Sequence, residues 1–307
     1  MPSGSGSSED VSVAATMLGS ATSGILARVV CHPLDVAKAN LQVAGQTLYR
    51  STADVLRTTF QKEGVRGLYK GFGVILLGSA PATCLYLTSY EESKKLLLKN
   101  HVMQENAFLT SFTAGVLAEA LSCIFWVPID VVKERMQVQS KASAHYYKST
   151  ADAIKTIYRT EGVRGLYRGY GATLWSFGPF SAFFFLFYEQ NKAIAEDFHR
   201  KPNEPHIDVP FASLLACSMT ASAGASLVTN PLDLVKLRLQ IERMHASSSS
   251  VTPRYVNTFQ GLQRVAMEEG VLGLWKGVGA RIAFQAPLTG LTLALYEKCK
   301  AVCATVV

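Results

Sequence analysis

Charge is scarce in this 307-residue chain. Only 17% of its residues are Asp, Glu, Lys or Arg, and 49% are hydrophobic. Soluble domains carry about 25% charged residues, so the deficit points to surface that meets lipid. No Lys or Arg precedes Arg28, so neither an Arg-rich transit peptide nor a secretory signal is expected, and any organelle address is expected within the folded body. Cys31, Cys84, Cys123, Cys217, Cys299 and Cys303 contain no Cys-x-x-Cys pair. Neither a disulfide framework nor a metal site is expected from them, and no cofactor is expected. The histidines are dispersed, mostly in loops, with no nucleophile–base pairing that repeats, which argues against an enzyme. The formal net charge is +7, yet no basic helix is interleaved with aromatics, so nucleic acid is not an expected partner.

What the chain does contain is one phrase written three times. Pro33-Leu34-Asp35-Val36-Ala37-Lys38, Pro128-Ile129-Asp130-Val131-Val132-Lys133 and Pro231-Leu232-Asp233-Leu234-Val235-Lys236 share Pro-x-Asp-x-x-Lys, each with a glutamine after it: Gln42, Gln137 and Gln240. Each copy continues with an acidic-Gly pair and an aromatic-basic-Gly triplet. These are Glu63-Gly64 with Tyr69-Lys70-Gly71, Glu161-Gly162 with Tyr167-Arg168-Gly169, and Glu269-Gly270 with Trp275-Lys276-Gly277. Gly71 to Gly169 is 98 residues and Gly169 to Gly277 is 108, the Ser247–Ser250 run and Pro253 lengthening the third loop. Such a period exceeds the roughly 20–50 residues of solenoid repeats. It predicts one body of three repeats (12–104, 105–205 and 206–307) behind a tail, 1–11, whose Ser/Gly-rich Met1–Asp10 is expected to be disordered.

Six apolar stretches, 12–43, 72–92, 108–138, 171–192, 211–241 and 279–300, are each long enough to cross a bilayer at about 1.5 Å per residue. Gly24, Gly115, Ser122, Ser222 and Ser226 interrupt them, which suits helices with one face to lipid and another to protein or water. The odd-numbered stretches carry Pro near their ends, where a kink is expected. Between odd and even stretches lie polar loops with short amphipathic helices, near Thr52–Gln61 and Thr150–Arg159. Loops 44–70, 139–168 and 241–276 hold 5, 6 and 4 Lys/Arg, against 3 and 2 in 93–107 and 193–210. The positive-inside rule places the long loops on one side and both termini on the other.

Asp and Lys three apart on a helix can pair locally for a few tenths of a kcal/mol. That does not explain why every copy places them just after a proline within a membrane-length helix. Charges inside a membrane are costly and are expected to face a cavity and find partners, and three related helices can close a ring in which each Asp meets the next helix's Lys. Tyr90-Glu91-x-x-Lys94, Tyr188-Glu189-x-x-Lys192 and Tyr296-Glu297-x-x-Lys300 write a second ring at the other end of the even helices. One ring would suffice for assembly, whereas two alternately opening gates account for both.

These motifs resemble the signature of the mitochondrial carrier family, in register in all three repeats over residues 12–300. The resemblance implies an all-α membrane protein: a threefold pseudo-symmetric barrel of six transmembrane helices with three short matrix helices, carrying a small solute by alternating access, as exchange (antiport) or uniport. It implies a multi-pass, monomeric protein of the mitochondrial inner membrane with both termini facing the intermembrane space and membrane lipid, cardiolipin, as partner. It implies a matrix gate pairing Asp35 with Lys133, Asp130 with Lys236 and Asp233 with Lys38, braced by Gln42, Gln137 and Gln240. It implies a cytoplasmic gate pairing Glu91 with Lys192, Glu189 with Lys300 and Glu297 with Lys94, with Tyr90, Tyr188 and Tyr296 as braces. One departure is present: a second basic residue two after the first appears as Arg135 and Arg238, but repeat one has Asn40.

By the same resemblance, solute contacts lie just before Pro81, Pro179 and Pro287, at Gly78, Ser176 and Phe284 and the next positions Ser79, Phe177 and Gln285. None is an Arg, so the usual anion clamp is missing, and Arg281, a turn away, reads as structural. Gly78 is expected to leave room in the cavity. Arg28, where the other repeats have Cys123 and Ser226, and Glu119, where they have Gly24 and Ser222, break the symmetry and are candidates to bind an asymmetric solute. The bland alternative is that they pair only with each other. Phe180, Phe183, Phe184, Phe185 and Phe187 read as lipid-facing or packing residues. The expected solute is an amino acid or amino-acid-containing cofactor bearing both charges. The alternatives are a nucleotide-like cofactor held by Arg28 and Phe177, or a helical scaffold that transports nothing.

Overall fold

The computed structural model describes residues 6–43, 49–100, 104, 106–139, 146–199, 209–242, 255 and 257–306, with side chains described in these except at 6–18, 20–21, 107–109 and 297–306. Among the described residues the regular structure is all helical. The order is α1 (Gly6–Gln42), α2 (Thr52–Leu68), α3 (Phe72–Leu97), α4 (Ala107–Val138), α5 (Thr150–Glu161), α6 (Val163–Leu166), α7 (Tyr170–His199), α8 (Phe211–Ile241), α9 (Thr258–Glu268), a 3-10 turn at Val271–Trp275, and α10 (Val278–Val306).

The six long helices each run without interruption through a proline: Pro33, Pro81, Pro128, Pro179, Pro231 and Pro287. Each ring removes one main-chain hydrogen bond, which lateral packing must offset. Of the tail expected to be disordered, Met1–Ser5 lie outside the described residues, and α1 begins at Gly6.

Four segments are long and apolar enough to cross a membrane: Phe72–Leu97, Thr110–Val138, Phe211–Ile241 and Val271–Tyr296, with between 22% and 44% of each buried. More than half of each is therefore left unburied, to face lipid or a cavity. The stretch at 171–192 lies in α7, whose Gly171, Ser176, Gly178, Pro179 and Ser181 dilute its phenylalanines.

The short helices start on side-chain caps. Ser51 Oγ accepts from Asp54 N, Ser149 Oγ from Asp152 N and Asn257 Oδ1 from Gln260 N, at 3.3, 3.2 and 2.8 Å, which satisfies main-chain donors that the first turn leaves open. Asp54 and Asp152 accept in return from Arg50 N and Lys148 N. The first amphipathic helix is continued past the expected Gln61, but its regular part ends at Gly64, whose φ of 66° breaks the helix.

The chain divides into two compact units. One holds Met1–Lys38, Phe180–Val228 and Val278–Val307, the other Ala39–Pro179 and Thr229–Gly277. The core of the second is built by Val127, Val131, Val132 and Val138 of α4 with Ala153 and Ile157 of α5 and Leu237 and Ile241 of α8. A smaller cluster joins Leu234, Val235 and Leu239 to Val265 and Tyr255. Within the first, helices approach through glycine: a Cβ on Gly224 would lie 2.9 Å from Phe187 Cδ2, and one on Gly290 2.8 Å from Met219 Cγ.

Candidate functional site

The repeated glycines are a backbone requirement. The residues with positive φ among those described are Gly64, Gly162 and Gly270 of the acidic-Gly pairs and Gly71, Gly169 and Gly277 of the triplets, at φ between 66° and 82°. A side chain is disfavoured in that region. The triplet glycines also touch the signature helices. A Cβ on Gly71 would sit 3.1 Å from Lys133 O, one on Gly169 3.0 Å from Gln240 Cγ, and one on Gly277 2.8 Å from Gln42 Cγ.

In repeats two and three the conformations bring the acidic residue of the pair onto a buried cation. In repeat two, Arg135 forms a two-pronged pair with Glu161, its Nη2 donating to Oε2 at 3.1 Å. In repeat three, Arg238 does the same with Glu269, at 2.5 and 2.9 Å. Both guanidinium groups are buried, where charge-assisted pairing offsets the cost of desolvation. Each Arg also donates its Nε to a glutamine carbonyl of another repeat: Arg135 to Gln240 O at 2.9 Å and Arg238 to Gln42 O at 3.1 Å. Asn40 completes that ring by donating to Gln137 O at 3.1 Å. Being short and neutral, it leaves Glu63 to Lys70, at 2.5 Å. The ring of side chain on carbonyl is thus threefold and the ring of Arg on Glu is not.

The basic residues of the triplets tie down the helix ends. Arg168 Nε donates to Leu239 O at 2.9 Å and its Nη2 pairs with Glu242, while Lys70 Nζ reaches Gln139 O at 3.5 Å. Gln139 clamps Tyr147 through Oε1 on its N–H and Nε2 on its carbonyl, at 2.8 and 3.1 Å, and Glu242 accepts from Tyr255 N at 2.6 Å. Burial pushes the Tyr147 hydroxyl pKa up, with the Arg135 guanidinium acting the other way. Burial, helped by Glu63 and Asp54, does the same at Tyr49.

Among the signature charges, Lys236 Nζ lies 2.7 Å from Asp130 Oδ2, a pair that joins α8 to α4. Gln42 Nε2 donates to Asn230 Oδ1 at 3.4 Å and Asp233 Oδ2 at 3.5 Å, and Asn230 in turn donates to Leu274 O at 2.8 Å. Asp35, Lys38, Lys133, Gln137 and Gln240 are buried, and Lys133 Nζ lies 3.3 Å from Glu134 Oε1. The second set of charges is placed differently. Glu91, Lys94, Glu189 and Lys192 are exposed, and Lys192 pairs with Glu196 one turn along its own helix. Tyr90 has Lys94 Nζ 5.9 Å from its ring centre, and Tyr188 stacks on Phe184. The side chains of Glu297 and Lys300 lie outside the described residues.

Of the expected solute contacts, Gly78 lacks the room expected there. It opens no space, because Ile129 fills it: a Cβ there would lie 2.2 Å from Ile129 Cδ1. The glycine serves close approach of α3 and α4. Ser176 and Phe284 are buried, Ser79 is half-buried and Phe177 is exposed. Gln285 lines a cavity of about 540 Å³ with Ser23, Leu288, Thr289, Thr292, Leu293 and Tyr296. Arg281 is a packing residue, its Nη1 donating to Ser226 O at 3.0 Å and its guanidinium 5.6 Å from the Phe180 ring centre. Phe180, Phe183 and Phe184 stack on aromatics one turn on, while Phe185 is exposed. Glu119 is buried, accepts from Cys123 Sγ at 3.6 Å, and feels the charges of Lys236 and Asp130. Arg28 is half-buried. Among the described residues no group of three or more His, Cys, Asp or Glu could hold a metal ion.

Sequence reasoning missed the Glu63–Lys70 exchange, although aligning 40, 135 and 238 with 63, 161 and 269 contained its signal. It also missed the α10 hydroxyls, which no repeat announces.

Long proline-containing helices, joined in three related segments by one hydrogen-bonded ring, define a triple-repeat helical membrane protein. The mitochondrial carrier protein family profile matches residues 9–101, 104–198 and 208–306. Mitochondrial substrate carrier family protein E of Dictyostelium discoideum is 36% identical over 292 residues, covering 92% of this chain and 94% of that protein. Mitochondrial thiamine pyrophosphate carrier 1 of Pyricularia oryzae is 30% identical, covering 92% and 90%. The mitochondrial aspartate-glutamate transporter of Saccharomyces cerevisiae is 31% identical over 89% of this chain and 30% of that longer protein. The chain belongs to the mitochondrial carrier family, whose members are multi-pass transporters of small solutes in the mitochondrial inner membrane.

Proposed function

We propose that the chain exchanges a small solute bearing both a positive and a negative charge, an amino acid or an amino-acid-containing cofactor, by alternating access. The observation that carries the mechanism is the Asp130–Lys236 pair at 2.7 Å. It joins the half-buried signature Asp of one repeat to the half-buried signature Lys of the next, and a pair of that kind can close a pathway and reopen. The remaining signature residues, Asp35, Lys38, Lys133 and Asp233, belong to the same gate, with Gln42, Gln137 and Gln240 as braces. Glu91, Lys94, Glu189, Lys192, Glu297 and Lys300 form the second gate, and their described members are exposed, as an open gate requires. Both termini face the intermembrane space, supported by the basic long loops.

Arg28 and Glu119 receive the anionic and cationic groups of the solute. Glu119 supports this most directly: it is a buried carboxyl on a membrane-crossing helix, with the Cys123 thiol 3.6 Å away. A carboxylate so placed gains from a cation. A nucleotide-like cofactor is the second reading, favoured by exposed Phe177 and by the thiamine pyrophosphate carrier among the relatives. Membrane lipid, cardiolipin among them, is a proposed partner at the cavity of about 370 Å³ lined by Gly169, Tyr170, Asn257 and Thr258, at the first residues of α7 and α9 where main-chain N–H groups favour anions.

Uptake of radiolabelled amino acids and of thiamine pyrophosphate into liposomes holding the purified protein tests the reading. Zwitterions are expected to exchange, with Glu119→Gln weakening the recognition of those with a cationic group and Arg28→Gln the recognition of the anionic one. Wild-type kinetics in the double variant would overturn the assignment of both residues.

A further inference from the structure

The cavity of about 540 Å³ between α1 and α10 has a lining with a specific chemistry. Gln285, Leu288, Thr289, Thr292, Leu293 and Tyr296 recur at helical spacing, so they present one face of α10, opposite Ser23. No lining residue is charged. Thr292 commits its only hydroxyl hydrogen to Leu288 O at 2.7 Å, and Thr289 commits its own to Gln285 O at 2.9 Å. Since the Thr289 hydrogen is spent, Ser222 must be the donor in the 3.1 Å contact between their hydroxyls. Thr292 Oγ1 is left with both lone pairs open, and Thr289 Oγ1 with one. Among the described residues the side-chain amide of Gln285 has no hydrogen-bond partner, so this wall offers that amide beside the hydroxyls of Ser23 and Tyr296, several acceptors and no cation.

With no cation and with the acceptors of Thr289 and Thr292 facing in, such a wall is poorly matched to a phosphate or carboxylate. It is right for neutral groups that donate. We propose that this cavity binds an uncharged hydroxyl- or amide-bearing portion of the transported solute, with Thr292 and Thr289 accepting its hydrogens and Gln285 bonding it both ways. The inference rests on the carrier reading above and narrows it. Within the class of solutes bearing both charges, it favours those with a third, neutral polar part over simple charged amino acids. Leu288 and Leu293 flank the threonines, so the same part carries apolar atoms as well.

The test uses proteoliposomes of the full chain and a fixed set of labelled probes. These are L-aspartate and L-lysine, which carry charged groups alone, L-glutamine and L-homoserine, which add a neutral donor, aminoacyl-nucleosides, which add a hydroxylated sugar, and thiamine pyrophosphate. The donor-bearing probes are expected to be transported in preference. For the best of them Thr292→Val, which keeps the shape and removes the acceptor, should raise KM roughly 3- to 10-fold at unchanged kcat. Thr292→Ser should restore it, and Gln285→Leu should raise KM further. An intact thermal midpoint in each variant shows that the helix has kept its packing. In addition, the cysteine of Thr292→Cys should react with a water-soluble methanethiosulfonate and be protected by the best probe. Uptake with KM unchanged in Thr292→Val and Gln285→Leu overturns this inference and leaves the carrier reading standing, as does preference for L-aspartate or L-lysine. Uptake of no probe overturns both.

Discussion

Asp130 and Lys236 keep 19% and 17% of their side chains exposed, which leaves one of them stranded if the other is removed. Neutralising a single partner leaves a charge desolvated without compensation, and loss of a fully buried pair costs about 3–5 kcal/mol. With part of each side chain in contact with solvent, Asp130→Asn or Lys236→Gln is expected near or below the lower end of that range. The double variant should recover part of the loss, because neither charge is then unpaired. Thermal unfolding in detergent, read as a double-mutant cycle, gives the coupling between them. Single and double variants equally destabilised would show that the 2.7 Å contact contributes nothing.

Between elements, the ring that joins the repeats is complete for Asn40, Arg135 and Arg238 on the glutamine carbonyls, and broken for Glu63, which pairs with Lys70. In repeats two and three a buried Arg therefore binds a signature helix to its own acidic-Gly turn; repeat one lacks that tie between α1 and α2. Asn40→Arg is expected to draw Glu63 away from Lys70. The new pair should gain about 1 kcal/mol after desolvation, or roughly 2–4 °C in thermal midpoint, with slower exchange because one more link must open. A lower midpoint would mean that the site lacks room for the guanidinium. Repeat comparison made much of this element-level logic legible. The acidic-Gly pairs and the triplets stood out because they recur, which is what a sequence displays best, whereas their left-handed glycines and the Arg–Glu pairing appear only in the folded chain. Gly78 was misread for the converse reason. A glycine looks the same in sequence whether it faces a cavity or receives Ile129, and only the packed helices tell the two apart. The α10 hydroxyls were illegible because threonine in an apolar helix carries no signal until its hydrogen is known to be spent on the preceding turn.

At the scale of the molecule, sidedness follows from charge and can be measured without knowing the solute. Loops 44–70, 139–168 and 241–276 carry 5, 6 and 4 Lys/Arg against 3 and 2 in the loops between repeats. Basic residues near helix ends resist translocation, so the long loops are expected in the matrix and Glu91 and Lys192 on the other side. Tyr146 is 47% exposed in a long loop, and Glu91 and Lys192 are exposed at the far ends of α3 and α7. Cysteine placed singly at each, with the native cysteines replaced by alanine, gives three reporters. In mitochondria whose outer membrane has been opened, a membrane-impermeant maleimide should label Glu91→Cys and Lys192→Cys at once, and Tyr146→Cys only after the inner membrane is permeabilised. The reverse pattern would invert the proposed orientation. Immediate labelling at all three sites would place a long loop and the opposite helix ends on one side, which an odd number of crossings between them forbids.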